Sequence, residues 1–273
     1  MNKFNKIAVI NELKLSKFAE IEIQKYSQTP VDFSFGDSKS EDESIGIIKD
    51  SEAVLGSWNC LLTKRILDSC PNLKYVGICG TSLTKVDTEE VKKRGIVLKN
   101  VTDYGDEATA EFVFSQLLNL FRGYGKYRWN DKPSELNGKE IGIIGLGAVG
   151  QQVARIALGF NMKVSYFSRN HKPEWEDKGL IYKTLEELLK TSDIVSLNVP
   201  RNLNLIGAKE FALFKSGSVF VNTAIGNVFD LPSFVNWVKL GNNFAIIDDQ
   251  EYVDQIKDLP NVNALSVTAG KTK

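Results

Sequence analysis

The sequence predicts an α/β protein of two domains built on parallel sheets, the second a doubly wound Rossmann domain. Three observations predict it. Short apolar or β-branched runs alternate with helix-like segments along the chain, the rhythm of a parallel sheet covered on both faces. One such run, Ile141–Ile144, leads directly into Gly145-Leu146-Gly147-Ala148-Val149-Gly150 and then into an amphipathic helix. The length, 273 residues, suits two domains.

In the first domain, strand-like runs fall at Lys6–Ile10, Val31–Phe35, Ala53–Ser57, Leu73–Cys79 and Ile96–Leu98. Helices are expected at Ser40–Lys49, Leu62–Cys70 and Thr88–Arg94. Ser40 and Glu43 have capping-box spacing, and Asp87 precedes a first turn rich in acid. A longer helix follows over Glu107–Arg122, with Phe112, Val113, Leu117, Leu118 and Phe121 at helical spacing; Gly123 and Gly125 end it. Tyr124–Gly138 is polar and reads as a surface loop.

The second alternating region begins at Ile141–Ile144. It continues with helix Val149–Leu158, strand Lys163–Phe167, helix Leu185–Thr191, strand Ile194–Asn198 and helix Ala208–Phe214. Strand Ser218–Asn222, helix Leu231–Leu240 and strands Phe244–Asp248 and Val262–Val267 complete it. The boundary is placed near residues 100–106, giving domains 1–102 and 103–273.

Composition narrows the function. Lys and Arg number 34 and Asp and Glu 34, so no charge excess argues for nucleic acid. No run of 18 apolar residues occurs, and the apolar stretch Ile7–Ile10 is too short for a signal sequence. A cytoplasmic protein with no membrane partner is expected. Cys60, Cys70 and Cys79 lack metal-ligand spacing and fit free thiols; with His171 the single histidine, no metal site is expected.

The glycines each have a task in a dinucleotide site. Gly145 makes the tight turn, Gly147 admits the pyrophosphate to the backbone, and Gly150 lets helix and strand pack closely. The pyrophosphate then meets unsatisfied amides at a helix N-terminus, those of Leu146, Ala148 and Val149 included. An NAD site usually ends its second strand with Asp or Glu, about 20 residues on, to bind the ribose hydroxyls. Here the strand ends Phe167-Ser168-Arg169-Asn170-His171-Lys172, with no carboxylate. Ser168, Arg169, Asn170 and Lys172 suit a 2′-phosphate, so NADP(H) is favoured over NAD(H). A solvated basic loop is the other reading of those residues.

At this point the chain resembles the D-2-hydroxyacid dehydrogenase family, which includes glyoxylate and hydroxypyruvate reductases and phosphoglycerate dehydrogenases. The likeness runs through Leu73–Gly80, Val86-Asp87, Arg94-Gly95-Ile96, Ala110-Glu111-Phe112 and Leu136–Lys139. It continues through the glycine turn, Asp193–Pro200 and Asn222-Thr223-Ala224. The resemblance implies a smaller flavodoxin-like substrate domain before the Rossmann domain, a small-molecule substrate and a homodimer. It carries cofactor roles onto Gly145, Gly147, Gly150, Ser168, Arg169, Val199, Pro200 and the Thr223-Ala224-Ile225 loop. It also carries one onto Asp248, as the acid holding the nicotinamide carboxamide, with a plain strand-end cap as its alternative.

The family's catalytic residues do not carry over. Ile225 stands where the resemblance expects a substrate-binding arginine, and Val267 where it expects the acid/base histidine. The glutamate orienting that histidine would fall on Val253 or Asp254. Ser82 replaces a usual glycine, and the chain stops at Lys273, where the family continues with a helix returning to the first domain. Ile225 cannot make a bidentate carboxylate contact. Val267 cannot move a proton, a service worth about 10²–10⁴-fold in rate. Tyr104, Asp106 and Lys271 are the nominated replacements, with Glu107, Lys273, Cys79 and Ser82 behind them. Each also has a capping, solvated or packing role open to it. Two functions follow: a reductase acting on a carbonyl or imine other than a simple 2-oxo acid, or a dinucleotide-binding pseudoenzyme.

Overall fold

The computed structural model describes residues 3–34, 36, 40–102, 104–249, 251–266, 269 and 270. It divides into two compact units, residues 1–103 and 104–273.

The first unit runs β1 (Ile7–Ile10), α1 (Lys17–Gln24), α2 (Glu41–Ile48), β2 (Ala53–Ser57), α3 (Lys64–Ser69), β3 (Tyr75–Cys79), α4 (Thr88–Lys93) and β4 (Val97–Asn100). Its four strands form one parallel sheet in the order β1-β2-β3-β4. Ile10, Val54, Val76 and Ile78 pack with Ile48, Ile66, Leu67 and Val91 from the helices. The caps expected from sequence are present: Ser40 Oγ accepts from the Glu43 amide and Asp87 Oδ1 from the Glu90 amide, at 3.2 and 3.0 Å.

One expected strand is absent. Val31–Ser34 joins no sheet, and Phe35 lies outside the described residues. The reason is local competition for the backbone. The Val31 amide donates to Gln24 Oε1 and the Ser34 amide to Asp32 Oδ1, both at 2.9 Å, so neither is left for a ladder. Among the described residues the sheet of the first unit therefore has four strands, with β1 at one edge.

The second unit runs α5 (Asp106–Arg122), β5 (Glu140–Ile144), α6 (Ala148–Gly159), β6 (Lys163–Phe167), α7 (Pro173–Glu176), β7 (Ile181–Tyr182) and α8 (Leu185–Thr191). Then come β8 (Ile194–Leu197), α9 (Ala208–Phe211), β9 (Val219–Asn222), α10 (Leu231–Val238), β10 (Phe244–Asp248), α11 (Val253–Ile256) and β11 (Val262–Leu265). Seven parallel strands are ordered β11-β10-β9-β8-β5-β6-β7. The chain winds outward from β5 in one direction to β7, then returns to place β8 on its other side. β5 and β8 thus flank the topological switch point, where open α/β sheets hold ligands beyond the strand C-termini.

Both faces of this sheet are buried, so its strands read as near-continuous apolar runs. On one face Ile141 and Ile143 of β5 meet Val113, Leu117 and Phe121 of α5 and Val153, Ala154 and Ala157 of α6. On the other, Phe211, Phe220, Phe229, Phe234 and Trp237 form an aromatic cluster. Phe220 and Phe229 meet edge to face at 5.5 Å, the favoured geometry for such rings. Rigid packing on both sides fixes where the strand C-termini end.

Candidate active site

The glycine turn begins where β5 stops. Gly145 has φ +92°, and a Cβ there would sit 2.1 Å from the Asn198 carbonyl oxygen. Its amide donates to Phe167 O at 2.8 Å, tying β5 to the end of β6. Gly150 is pressed into the turn behind it: a Cβ there would lie 2.1 Å from Gly145 O. Any side chain at either position must push backbone aside.

Gly147 differs. Its φ is −82°, it is exposed, and beyond its chain neighbours and its own helix backbone no atom lies within 4 Å of where a Cβ would be. It is the N-cap of α6 and has no side chain with which to cap it. Leu146 is buried and anchors the turn, while Ala148 is exposed and Val149 half-buried. The first-turn amides have no intrahelical acceptor, and the helix dipole adds positive potential there. A smooth, uncapped helix end with free amides, positive dipole potential and open space before it fits a diphosphate.

The end of β6 is held by a buried tyrosine. The Tyr166 hydroxyl donates to Glu176 Oε1 at 2.6 Å and accepts from the Lys172 amide at 2.7 Å. Burial, then the Glu176 hydrogen bond, pushes its phenol up to about 12. The Tyr166 hydrogen bond, then that from His171, lowers the Glu176 carboxyl below its ordinary value of 4.5. Its contribution is therefore present above that value and lost as pH falls through the folded one. His171 lies 3.0 Å from the same carboxylate and stacks on Tyr182 at 3.8 Å, so it is occupied in pinning the loop. Ser168 Oγ donates to Asn170 O. Arg169 is exposed, and neither it nor Lys172 forms an ion pair among the described residues. Two uncompensated cations thus border a strand end that carries no acid.

Tyr166→Phe should loosen residues 168–172 while leaving the sheet intact. Losing two hydrogen bonds at a buried hydroxyl costs about 1–3 kcal/mol. NADPH affinity is expected to fall severalfold, measured by quenching of nicotinamide fluorescence. Unchanged affinity would show that the loop does not need this anchor.

The C-terminal ends of β8, β9 and β10 form the other half of the site. Asn198 Nδ2 donates to Ser196 O and Ser196 Oγ at 3.2 and 3.0 Å, which leaves Oδ1 buried without a partner among the described residues. Its absence from the sequence-derived site is explained by its motif, which reads as plain strand. The signal available was a polar residue directly after a largely apolar strand, Ile194–Leu197. Val199 is half-buried and Pro200 exposed. The buried Asn222 side chain donates to Ala224 O at 3.1 Å and accepts from its amide at 3.3 Å, shaping the Thr223–Ala224 turn. Ile225, next along, is exposed.

Asp248 is buried at the end of β10, and Oδ2 accepts from the Ala269 amide. Gly105 packs on Gly270, 3.4 Å from a would-be Cβ, so the N-terminus of α5 meets the segment that Asp248 holds. Of the nominated proton donors, Tyr104 is well exposed, Asp106 opens α5, and Glu107 pairs with Arg155 at 3.1 Å. Cys79 is exposed, and Ser82 Oγ lies 3.0 Å from Thr84 Oγ1 in the first unit. Lys271, Lys273 and Val267 lie outside the described residues. No group of three or more His, Cys, Asp or Glu among the described residues could hold a metal, and no described helix is long and apolar enough to cross a membrane.

Comparison with known proteins accords with this geometry. The family model for the D-isomer specific 2-hydroxyacid dehydrogenase NAD-binding domain matches residues 116–267. A glyoxylate reductase of Thermococcus litoralis is 32% identical over 268 residues, covering 88% of this chain and 78% of the reductase. One from Pyrococcus horikoshii is 34% identical over 248 residues, covering 81% and 74%. Among solved structures, an acyclic imino acid reductase in complex with NADPH and D-Arg is 27% identical, with a TM-score of 0.78 over 98% of this chain and 91% of its own. With an NAD-binding domain matched over more than half its length and relatives spanning most of the rest, the chain belongs to the D-isomer specific 2-hydroxyacid dehydrogenase family of NAD(P)-dependent oxidoreductases.

Proposed function

We propose that the chain is an NADP(H)-dependent reductase of a carbonyl or imine substrate other than a simple 2-oxo acid. The observation that carries the reading is an uncapped glycine turn at the switch point, beside a strand end with no acid and two cations that form no ion pair among the described residues. Gly145, Gly147 and Gly150, with the amides of Leu146, Ala148 and Val149, would receive the diphosphate. Ser168, Arg169, Asn170 and Lys172 would receive the adenosine phosphate. Val199 and Pro200, Thr223, Ala224 and Ile225, and Asp248 would border the remainder. Asn198, with its orphan amide oxygen, joins them.

When bound, NADPH supplies a hydride. The chain's own part is to orient the acceptor and exclude water. With isoleucine at position 225, polarisation of the acceptor falls to backbone amides, a hydroxyl or water. An acceptor that is already electrophilic, such as a protonated imine, needs little more. The likeness to an NADPH-bound imino acid reductase supports that choice. A homodimer acting in the cytoplasm completes the proposal by family likeness, and sedimentation tests the assembly.

The test is NADPH oxidation followed by absorbance against 2-oxo acids, aldehydes and ketones, each with and without a primary amine. Turnover is expected with imines or non-acid carbonyls above that with pyruvate. Tight NADPH binding with no turnover of any of them would favour the pseudoenzyme instead.

A further inference from the structure

The chain has one histidine, and it stands at the end of β6 among the cations of the candidate adenosine-phosphate site. β6 pairs with β5 as far as Phe167 and Ile144, and the Gly145 amide donates to Phe167 O at 2.8 Å. The segment after Phe167 therefore leaves the sheet beside the glycine turn, where a dinucleotide fold meets the adenosine ribose. His171 adjoins Lys172 and is two residues from Arg169. The Cα atoms of residues so spaced are no more than about 7 Å apart. That lies inside the screening length of about 10 Å at 0.1 M salt. A charge on His171 is thus felt by an anion that Arg169 and Lys172 bind.

The ring is held in place from two other elements. It stacks on Tyr182 of β7, with centroids 3.8 Å and planes 29° apart, and Nδ1 lies 3.0 Å from Glu176 Oε1 on α7. The Tyr166 hydroxyl donates to that same oxygen at 2.6 Å and accepts from the Lys172 amide at 2.7 Å. Those two side-chain bonds, that of Tyr166 first, keep the Glu176 carboxyl below its ordinary range, so it is charged throughout the neutral region. A carboxylate only accepts, so Nδ1 carries a hydrogen and the titrating proton enters at Nε2. The titratable and charged groups around the ring are Tyr166 from β6, Tyr182 from β7, Glu174 and Glu176 from α7, and Arg169 and Lys172 from its own segment. With a neutral ring the two cations are balanced by the two acids of α7. Protonation of the ring tips the balance positive. Imidazole is the side chain whose charge changes near neutral pH, and this one is 61% exposed and open to solvent protons.

We propose that His171 makes coenzyme choice depend on pH: when protonated it is a third cation for the 2′-phosphate, so NADP(H) is favoured over NAD(H) most on the acid side of its titration. The inference rests on the NADP(H) reading and adds to it a proton-dependent contribution that a ribose hydroxyl cannot draw on. Linkage fixes the sign. The phosphate favours the charged ring, so bound NADP⁺ raises the pH at which His171 loses its proton. The added affinity is present below that range and lost above it.

A single histidine makes the test direct. The imidazole resonances of the untagged full-length protein are followed by NMR from about pH 5 to about pH 8.5, alone, with NADP⁺ and with NAD⁺. With NADP⁺ the midpoint should rise by about 0.5–0.7 on the pH scale, equivalent to an affinity gain of about three- to fivefold, the size of an exposed charge pair. With NAD⁺ it should stay in place. Calorimetry at fixed low salt then compares wild type, His171→Gln and His171→Lys at about pH 5.5 and about pH 8. For NADP⁺, wild type should approach the lysine variant at the acid value and the glutamine variant at the alkaline one. Comparing variants at one pH cancels the titration of the phosphate itself, which falls near pH about 6. A midpoint moved equally by both nucleotides or by neither overturns the proposal, as does a ratio of wild type to His171→Gln that is the same at both pH values. If NADP⁺ still binds far more tightly than NAD⁺ in that case, the NADP(H) reading stands without His171. Equal affinities for the two nucleotides at both pH values remove that reading, and the proposal with it.

Discussion

Gly147→Val should cost the protein its dinucleotide while leaving its fold in place. The position has ordinary φ, is exposed, and has empty space where the new side chain would go. Valine is a poorer N-cap than glycine, and the loss of that preference sets a stability cost of about 1 kcal/mol. The binding cost is of another order. A branched side chain before the α6 N-terminus holds a diphosphate off the amides, and each charge-assisted hydrogen bond so lost is worth about 1.5–3 kcal/mol. NADPH affinity is expected to fall at least about 100-fold, measured by fluorescence quenching, with the melting point of the apo protein lowered by only about 2–4 °C.

Gly145→Ala is the contrast that identifies the cause. Its Cβ would lie 2.1 Å from the Asn198 carbonyl on a backbone with φ +92°, so both strain and collision apply. A loss of about 3 kcal/mol is expected, equivalent to a melting point lower by about 6–12 °C for a unit of this size. Cofactor binding should fall with it. If Gly147→Val bound NADPH as tightly as wild type, no diphosphate would be held at this turn.

The second large effect concerns cofactor choice. Arg169→Ala should weaken NADPH about 10- to 100-fold and NADH by no more than about twofold, since only the former offers a phosphate to a guanidinium. Arg169 is exposed and forms no ion pair among the described residues, so no such pair has to be broken before it binds. Both affinities are read by calorimetry at fixed salt, because the phosphate contact is screened. Equal losses for the two nucleotides would mean that Arg169 contacts the adenine or nothing, and that the strand end does not select for phosphate.

Much of this molecule is legible without coordinates. The glycine turn, the strand before it and the helix after it were readable because each has a local cause: an apolar run, a turn that needs glycine, an amphipathic stripe. Strands β6 and β10 fall at their expected ends for the same reason. Elements that escaped are short or mixed in period. Glu20-Ile21-Glu22-Ile23 alternates like a strand, yet lies in α1 behind the Ser16 cap, where no residue of the helix is buried. Helices α7 and α11 have four residues each, too few to show a period. Val31–Phe35 reads as a strand by composition, and side chains claim its amides.

The sequence by itself determined that this chain is a parallel-sheet α/β protein with a glycine turn between strand and helix, a basic strand end without acid and no arginine at position 225. Only the tertiary structure decided that Asn198 keeps an amide oxygen without a partner among the described residues, that Asp248 holds the Ala269 segment, and that Asn222 shapes the Thr223–Ala224 turn. The division has one physical reason. Propensity, capping and turn chemistry act between residues close in the chain. The strand C-termini that meet at the switch point come from segments up to a hundred residues apart, brought together by packing on both faces of the sheet.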